Sequence, residues 1–186
     1  MSKLIRYAFF VVFICVALNA CTSFTASKNM VYLSPNIQLN INSVPAKMFG
    51  KSWQHVLHIS NQQKQHTVFA QLGISELGTI KLLLMTVQGF PIMELEKPLN
   101  SPVKIINRLM VEGIDPHYIL ADIALIHWPV EFLQAQLTGA LIEQVGSTRR
   151  IFNDDSTLMT IAYNDKSTIL NNILHQYQIT FKKVAQ

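Results

Sequence analysis

The run DPHYILADIALIHWP, residues 115–129, carries the strongest local structural signal in the chain. Asp115 followed by Pro116 is typical of a helix start, because the aspartate side chain accepts hydrogen bonds from free N–H groups and proline suits the first helical position. Asp122 is nearly the only charge in the apolar run that follows, and Pro129 ends it. A helix that is apolar all round is buried. The sequence therefore predicts a central, buried helix over residues 116–128.

Helices are also predicted on either side of the central one. A second helix follows at once, from Val130 to Thr138, with Phe132 on its apolar side and Gly139 where a C-terminal cap belongs. Upstream, apolar residues recur at helical spacing between Val103 and Met110, and Gly113 is suited to end that helix. The central helix and the one after it form the predicted helical pair.

Strands are predicted before the helices, because apolar residues there recur with period two. In the run Leu82-Leu83-Leu84-Met85 both faces are apolar, so we expect this strand to be covered on both sides. Polar or glycine-containing turns separate the strands at short spacing, which is typical of an antiparallel meander. The predicted strands are Trp53–Ser60, His66–Leu72, Thr79–Val87 and Phe90–Leu95.

Strands return after the helices, and in the last of them Tyr177, Ile179 and Phe181 share one face. This order of strands, helices and strands indicates an α+β fold class. We expect a curved antiparallel sheet that forms a half-open, unclosed β-barrel capped by the helical pair. The later strands are predicted at Leu141–Val145, Arg149–Phe152, Leu158–Tyr163, Ile169–His175 and Tyr177–Val184, with turns at 153–156 and 164–167.

A half-open barrel of this kind can enclose an apolar ligand between the buried helix and the sheet. From the periodicity, the residues expected to line the interior are Leu82, Leu84, Ile119, Ile123, Phe132 and Phe181. The residues expected at a lipid head group or at the cavity mouth are Asp122, His127, Arg149 and Arg150.

Asp122 is the most unusual of these residues, because a buried carboxylate needs a partner. Arg108, Arg149 or Arg150 could supply the opposite charge, in a structural ion pair or at the cavity mouth. Arg149 and Arg150 could also hold an anionic head group, although adjacent strand residues point to opposite faces. General acid–base catalysis by Asp122 together with His127 is the alternative.

The sequence shows no motif that predicts an enzyme or a metal site. His55 and His58 lie on opposite faces of a predicted strand, so we expect no shared metal ion. The chain holds no Gly-x-Ser-x-Gly, His-Glu-x-x-His or glycine-rich phosphate-binding motif. We therefore expect no cofactor, no metal and no enzymatic activity.

The N-terminus has the order of a bacterial secretion signal. Lys3 and Arg6 form a basic region, and Tyr7–Leu18 is an apolar segment too short to span a bilayer comfortably. The stretch Leu18-Asn19-Ala20-Cys21 then resembles the lipobox of bacterial lipoproteins. That resemblance implies cleavage before Cys21, a diacylglycerol on its sulfur and a fatty acyl group such as palmitate on its amine.

The same resemblance implies an address. Two or three acyl chains anchor a protein stably in a membrane, and Thr22 stands where an aspartate would favour retention in the inner membrane. We therefore expect a lipid-anchored protein on the periplasmic side of the outer membrane. An ordinary secretory signal or an uncleaved membrane anchor is the alternative.

Residues 21–50 are expected to be a tether, because Pro35 and Pro45 interrupt regular structure, although the alternation in Ile37–Asn42 predicts a short strand within it. The expected organisation is a signal peptide in 1–20, a lipidated N-terminus and tether in 21–50, and a single lipid-binding-like domain in 51–186.

Composition narrows the function classes. The formal net charge is +4, and the signal removes two basic residues and no acidic one, which leaves +2. This small net charge gives no electrostatic reason to expect nucleic-acid binding.

The two cysteines leave no free thiol in the mature protein. Cys15 leaves with the signal, and an acylated Cys21 provides no thiol for a disulfide, a metal or a nucleophile. With 49% hydrophobic and 14% charged residues, the chain has much apolar surface to bury in a core or against a ligand.

Several stretches share a pattern with a known family. They are the lipobox, the early strands, Tyr118–Ile123, Trp128-Pro129, Leu133, Arg149-Arg150 and Tyr177–Ile179. Together they resemble a family of uncharacterised Gram-negative lipoproteins that often accompany gene sets making aryl polyene lipids. More distantly, the strand order and central helices look like the LolA carrier and LolB receptor, whose unclosed, helix-capped barrel holds acyl chains. The resemblance implies fold and ligand type only.

We expect an outer-membrane lipoprotein that binds an acylated or polyene lipid in an apolar cavity and helps its transport to, or retention at, the outer membrane. Its expected partners are the bilayer, through acylated Cys21, the lipid ligand and an envelope transporter. One alternative is a non-enzymatic accessory that docks an envelope transport or assembly complex. A lipid-ester enzyme using Asp122 and His127 is the third hypothesis.

Overall fold

The computed structural model describes residues 29–62, 64–109, 115–154 and 156–184. The predicted signal peptide, Cys21 and the expected helix end at Gly113 lie outside the described residues. The helices are α1 (Pro116–His127) and α2 (Val130–Gln136), with a short 3-10 turn at Ala46–Met48. The strands are β1 (Met30–Ser34), β2 (Ile37–Asn40), β3 (Ser52–Asn61), β4 (Gln65–Ile74), β5 (Ile80–Thr86), β6 (Pro91–Lys97), β7 (Lys104–Asn107), β8 (Leu137–Thr138), β9 (Leu141–Val145), β10 (Thr148–Asn153), β11 (Ser156–Tyr163), β12 (Ser167–Asn172) and β13 (Tyr177–Lys183).

Most strands belong to one large antiparallel sheet, in the order β7-β6-β5-β4-β3-β13-β12-β11-β10-β9. Consecutive strands pair as hairpins, except that β13 pairs with β3 and so joins the two halves, with Ile179 opposite Ile59 and Phe181 opposite Leu57. β7 and β9 lie at opposite ends of this order, so the sheet is unclosed. A second, smaller sheet has the order β1-β2-β8.

Helix α1 is buried against the large sheet, as its apolar sequence predicts. The Asp115 side chain accepts a hydrogen bond from the His117 N–H at 2.8 Å and so caps the helix start. Every residue from Leu120 to Ile126 is buried. The helix contacts strands from both halves of the sheet: β10, β11 and β13 through hydrogen bonds, and β3, β4 and β5 around an apolar cavity. The sheet therefore curves around α1.

Helix α2 lies at the edge of the sheet and is shorter than predicted. It ends at Gln136, and Leu137–Thr138 becomes a strand that pairs with β2. The Gln134 side chain accepts a hydrogen bond from the Ile142 N–H at 2.9 Å. This satisfies a backbone donor on the edge strand β9. The fold is thus a large, unclosed antiparallel sheet with two short helices.

The helix predicted between Val103 and Met110 is wrong. Residues Lys104–Asn107 instead form β7, which pairs with β6 and sets Ile106 opposite Glu94. β-branched residues such as Ile105 and Ile106 favour a strand, and the unpaired edge of β6 offers them backbone partners. The helical spacing of the apolar residues here was coincidental.

The predicted tether is also wrong from Asn29 onward. Residues 30–40 form the hairpin β1–β2, and most of its aliphatic side chains are buried. Pro35 lies in the turn of this hairpin and Pro45 precedes the 3-10 turn, so neither proline interrupts a regular element. The buried apolar residues between positions 30 and 41 are Val31, Leu33, Ile37, Leu39 and Ile41.

Strand β5 is covered on one face rather than on both. Leu82 and Leu84 are buried on the side that faces α1. Leu83 and Met85 are half-buried on the opposite side, where they line a groove of about 810 Å³ on the outer face of the sheet. The apolar run in β5 therefore reflects an apolar outer surface as well as a core.

Candidate functional site

A cleft of about 400 Å³ opens between the first two turns of α1 and strands β3 and β13. This volume falls within the range of roughly 300–1,000 Å³ that is usual for small-molecule sites. Its walls combine aliphatic side chains with a few polar groups. The lining residues are Ile59, Asn61, Asp115, Tyr118, Ile119, Asp122, His175, Tyr177 and Ile179.

A second cavity lies deeper between α1 and the sheet, and it shares Ile59, Ile119, Asp122 and Ile179 with the cleft. The cleft therefore leads toward the apolar interior. The deeper cavity has a volume of only about 30 Å³, which is close to the volume that one water molecule occupies in the liquid. The interior is filled by side chains.

Asp122 forms the polar floor of the cleft. The residue is 3% exposed, and the Tyr177 hydroxyl donates to its two carboxyl oxygens at 2.9 and 3.0 Å. Burial raises the pKa of Asp122 to about 7, and the hydrogen bond from Tyr177 acts in the opposite direction. Burial and the neighbouring Asp122 raise the pKa of Tyr177, which stays protonated and acts as the donor.

The prediction that an arginine pairs with Asp122 is wrong. Arg108 instead pairs with Glu94 at 3.0 Å, on the outer face of the sheet. The tyrosine that serves as partner lies 55 positions away in the sequence, on β13. Tyr177 does occupy the inward-facing register shared with Ile179 and Phe181, which is the sequence pattern that could have identified it.

Tyr118 and His175 form one wall of the cleft and were not among the predicted site residues. Their rings lie 4.8 Å apart, and the His175 Nε2 donates to the Leu33 carbonyl at 2.8 Å. Tyr118 stands one turn before Asp122, so helical spacing would have placed it on the same face of α1. No comparable pattern indicates His175, because it lies in the turn between β12 and β13.

Five of the six residues expected to line the interior do so, and Phe132 is the exception. Its ring packs edge-on against Trp128, with the ring centroids 5.6 Å apart. Trp128 itself is buried. The residues that line the deeper cavity as predicted are Leu82, Leu84, Ile119, Ile123 and Phe181.

His127 is half-buried beside the deeper cavity rather than in the cleft. Its ring centroid is 4.5 Å from that of Trp53 and 6.2 Å from that of His55. Burial, followed by the nearby His55 and Arg149, lowers the pKa of His127 to about 4, so the ring is neutral at pH 7. Because Tyr177 rather than His127 is hydrogen-bonded to Asp122, the geometry does not support the proposed acid–base pair.

Arg149 lies outside the cleft, contrary to the expectation of a head-group contact. Its guanidinium is buried and donates to the Leu125 carbonyl and to Gln144, at 2.9 and 3.2 Å for the latter. The Tyr163 hydroxyl donates to the next carbonyl, that of Ile126, at 2.8 Å. The last carbonyls of a helix have no partner within the helix. Arg149 and Tyr163 therefore cap the C-terminus of α1.

Arg150 faces the other side of β10 and is also absent from the cleft lining. It pairs with Glu143 at 2.8 Å and lies over the Phe152 ring, 4.7 Å from its centroid. Both partners of this ion pair are roughly half-exposed. The opposite directions of Arg149 and Arg150 follow from the period-two geometry of the strand.

The larger groove on the outer face of the sheet is a weaker candidate than the cleft. Its lining includes Lys81, Lys104, Glu94 and Glu96, which are distributed over an exposed surface. The cleft instead combines a buried carboxyl with aliphatic walls, which is the usual composition of a ligand site. We therefore treat the cleft as the candidate site.

The described residues contain neither a cluster suited to a metal ion nor a helix suited to span a membrane. Histidine, cysteine, aspartate and glutamate side chains form no cluster of three or more that could hold a metal ion there. In the same part of the chain, no helix has both the length and the apolar character needed to cross a membrane.

A family described as "Protein of unknown function (DUF3261)" matches residues 52–185. No curated protein matches the chain. Because the matched region runs from the start of β3 to beyond β13, it includes the cleft and both helices. The chain belongs to the DUF3261 family.

Proposed function

We propose that this protein is a lipid-binding outer-membrane lipoprotein that takes an acylated or polyene lipid into the apolar space between α1 and the sheet. It helps the transport of that lipid to the outer membrane, or its retention there. The observation that supports the proposal is the cleft of about 400 Å³, which shares four residues with the apolar interior. The proposed activity is non-enzymatic and needs no cofactor.

Lipid binding of this kind requires the interior to open, since the deeper cavity has a volume of only about 30 Å³. Hydrogen bonds from Arg149 and Tyr163 hold the C-terminal end of α1. The first two turns border the cleft instead. We therefore propose that α1 moves away from the sheet at its N-terminal end. Burial of the lipid chain would contribute about 0.8 kcal/mol per CH₂, which offsets the cost of separating the helix from the sheet.

Two further features support the proposal at a coarser level. An unclosed antiparallel sheet curved around a helix is the architecture that a LolA/LolB-like lipid carrier would need. The lipobox-like sequence ending at Cys21 would anchor the domain to the outer membrane, on its periplasmic side, close to the lipid it handles. An envelope transporter would then be the partner that supplies or receives the lipid.

Native mass spectrometry of the full-length lipoprotein, purified gently from cells that make the candidate lipids, tests the proposal. We expect a discrete noncovalent mass in addition to the covalent acyl chains, and organic extraction should release it as lipid. Ile119→Trp fills the junction of cleft and cavity and should abolish this mass. Ile106→Trp, on the half-exposed edge strand β7, should leave it unchanged. The proposal would be contradicted if the wild-type protein carried no noncovalent lipid, even after incubation with fatty acid or polyene lipid.

A structural accessory is the second candidate, and the filled interior favours it. Apolar side chains are exposed at the tips of hairpins and along the edge strand β9: Leu77 is 80%, Val145 73% and Phe90 65% exposed. Such residues could contact an envelope complex. Photocrosslinking in intact cells tests this candidate, with a photoreactive residue at position 90 and, as control, at the exposed position 54 on β3. If the candidate is correct, position 90 should give a discrete protein adduct and position 54 should give none.

A further inference from the structure

The Asp122 carboxyl is incompletely satisfied by its protein partner. An ionised carboxylate offers about four acceptor positions, whereas the Tyr177 hydroxyl supplies one proton, shared between oxygens at 2.9 and 3.0 Å. Among the described residues, Tyr177 is the hydrogen-bond donor found for this side chain. Asp122 is only 3% exposed, and it lines the cleft. Acceptor capacity therefore remains at the cleft floor.

The lining of the cleft favours a cation over an anion. It includes two carboxyl groups, Asp115 and Asp122, and neither Lys nor Arg. His175 is held in the wall by its hydrogen bond to the Leu33 carbonyl. The arginines at positions 108, 149 and 150 contact other partners. A negatively charged head group would meet no opposite charge in the lining.

Aliphatic side chains surround the carboxyl on three elements. Ile119 comes from α1, Ile59 from β3 and Ile179 from β13, and all three line both the cleft and the deeper cavity. Ile59 and Ile179 are directly opposite each other in the β3–β13 pairing. The cleft thus holds one acidic group at the edge of a continuous apolar surface, which matches a molecule with one polar end and one apolar end.

We propose that the cleft binds an amphiphile with a primary ammonium head group, which donates hydrogen bonds to the Asp122 carboxylate while the alkyl chain lies on Ile59, Ile119 and Ile179. This inference rests on the proposed lipid-binding function and names the ligand class. An ammonium carries three donors, and it supplies the opposite charge that a buried carboxylate requires. A neutral alcohol supplies one donor and no charge.

Photoaffinity labelling of the full-length chain in phosphatidylcholine nanodiscs tests this proposal. Three probes share an eight-carbon chain carrying a diazirine and differ only in the end group, which is a primary amine, an alcohol or a carboxylate. The labelling is done at pH 8, above the pKa of about 7 of Asp122, and peptides are mapped by mass spectrometry. We expect the amine to label the peptides that contain residues 115–122 and 175–179 at least tenfold more strongly than the other two probes.

Two variants assign the preference to one group. Asp122→Asn keeps the shape and the acceptor for Tyr177 but removes the charge, and it should abolish the tenfold preference for the amine. Glu143→Gln removes an exposed carboxylate on β9, far from the cleft in the sheet order, and should leave the preference unchanged.

The outcomes separate this inference from the proposed function. Equal labelling of the cleft by all three probes would overturn the head-group assignment and leave lipid binding intact. Labelling of the cleft by none of them would contradict both. An amine preference that survives Asp122→Asn, or that is equally lost in Glu143→Gln, would overturn the role given to Asp122.

Discussion

At the scale of the residue, Asp122 sets the chemistry of the cleft. Its carboxyl lies between an apolar interior and a single tyrosine hydroxyl, and burial disfavours its charged form. The pKa of the half-buried His127, five positions further along α1, is shifted in the opposite direction, because burial favours its neutral ring. Both groups are therefore held uncharged by the same apolar surroundings over the mildly acidic range.

The pH dependence of stability should report the Asp122 carboxyl. Folding raises its pKa from an ordinary 3.8 to about 7, so the folded protein retains a proton that the unfolded chain has released. The stability from this group is full below pH 3.8 and is lost as the pH rises through 7. Asp122→Asn removes this loss. We expect the wild-type free energy of unfolding to fall by on the order of 2 kcal/mol, relative to Asp122→Asn, between pH 5 and pH 8.

Urea unfolding of both proteins, followed by tryptophan fluorescence, measures this difference. The depressed pKa of His127 causes stability to be lost as the pH falls from 6.5 toward 4, but wild type and variant share that contribution, so it cancels. Parallel pH profiles for the two proteins would contradict the assignment.

At the scale of the element, α1 is held at its two ends in different ways. Its start is capped by its own Asp115, whereas its end depends on Arg149 and Tyr163 from β10 and β11. A cation near the C-terminal carbonyls also complements the helix dipole. Burial lowers the pKa of Arg149, and the nearby Tyr163 and Glu131 oppose that shift. This cap fixes one end of α1 against the sheet and leaves the cleft at the other.

Removal of the Arg149 cap should destabilise the fold far more than removal of its neighbour. Arg149→Met leaves the Leu125 carbonyl without its buried donor, and we expect a loss of about 2–3 kcal/mol in the free energy of unfolding. Arg150→Met removes an ion pair whose partners are roughly half-exposed and should change stability by less than about 1 kcal/mol. Urea denaturation of the two variants gives the comparison. Equal losses would show that Arg149 does not act as a helix cap.

At the scale of the whole molecule, the N-terminal hairpin is joined to the helical pair. β2 pairs with β8, directly after α2, and sets Gln38 opposite Thr138. Gly139 follows with a φ of +81°, and a Cβ atom at this position would lie 2.0 Å from the carbonyl oxygen of Asn36. The close approach of Asn36 and Gly139 thus depends on the absence of a side chain at position 139. This contact packs the N-terminal hairpin against the rest of the domain.

Gly139→Ala tests this junction, and Gly146→Ala is its matched control. Both glycines have a positive φ, so each substitution carries the left-handed backbone cost of roughly 1–2 kcal/mol. Gly146 has no heavy atom within 4 Å of an added Cβ, so Gly139→Ala adds the clash with Asn36. We expect its thermal midpoint to lie well below that of Gly146→Ala, with faster proteolysis of the segment 30–40. Equal midpoints would contradict the close packing of hairpin and helical pair.

Much of the fold could be predicted because its causes are local. The Asp115-Pro116 start, the break at Pro129 and the period-two runs each depend on a few neighbouring residues, and the structure confirms α1 and most strands of the large sheet. The errors occur where local patterns are ambiguous. Residues 104–107 have helical spacing but pair with β6, and residues 30–34 form a strand only as part of a small sheet.

The sequence by itself determined the buried helix, the antiparallel strands and the inward-facing residues of the interior, because side-chain periodicity follows directly from backbone geometry. The tertiary structure alone decided which groups meet. The pairing of β13 with β3 brings Tyr177 to Asp122, and the course of β10 carries Arg149 to the end of α1 rather than to the cleft. Contacts between distant segments depend on how the sheet curves around the helix, and no local sequence pattern encodes which distant residues will meet.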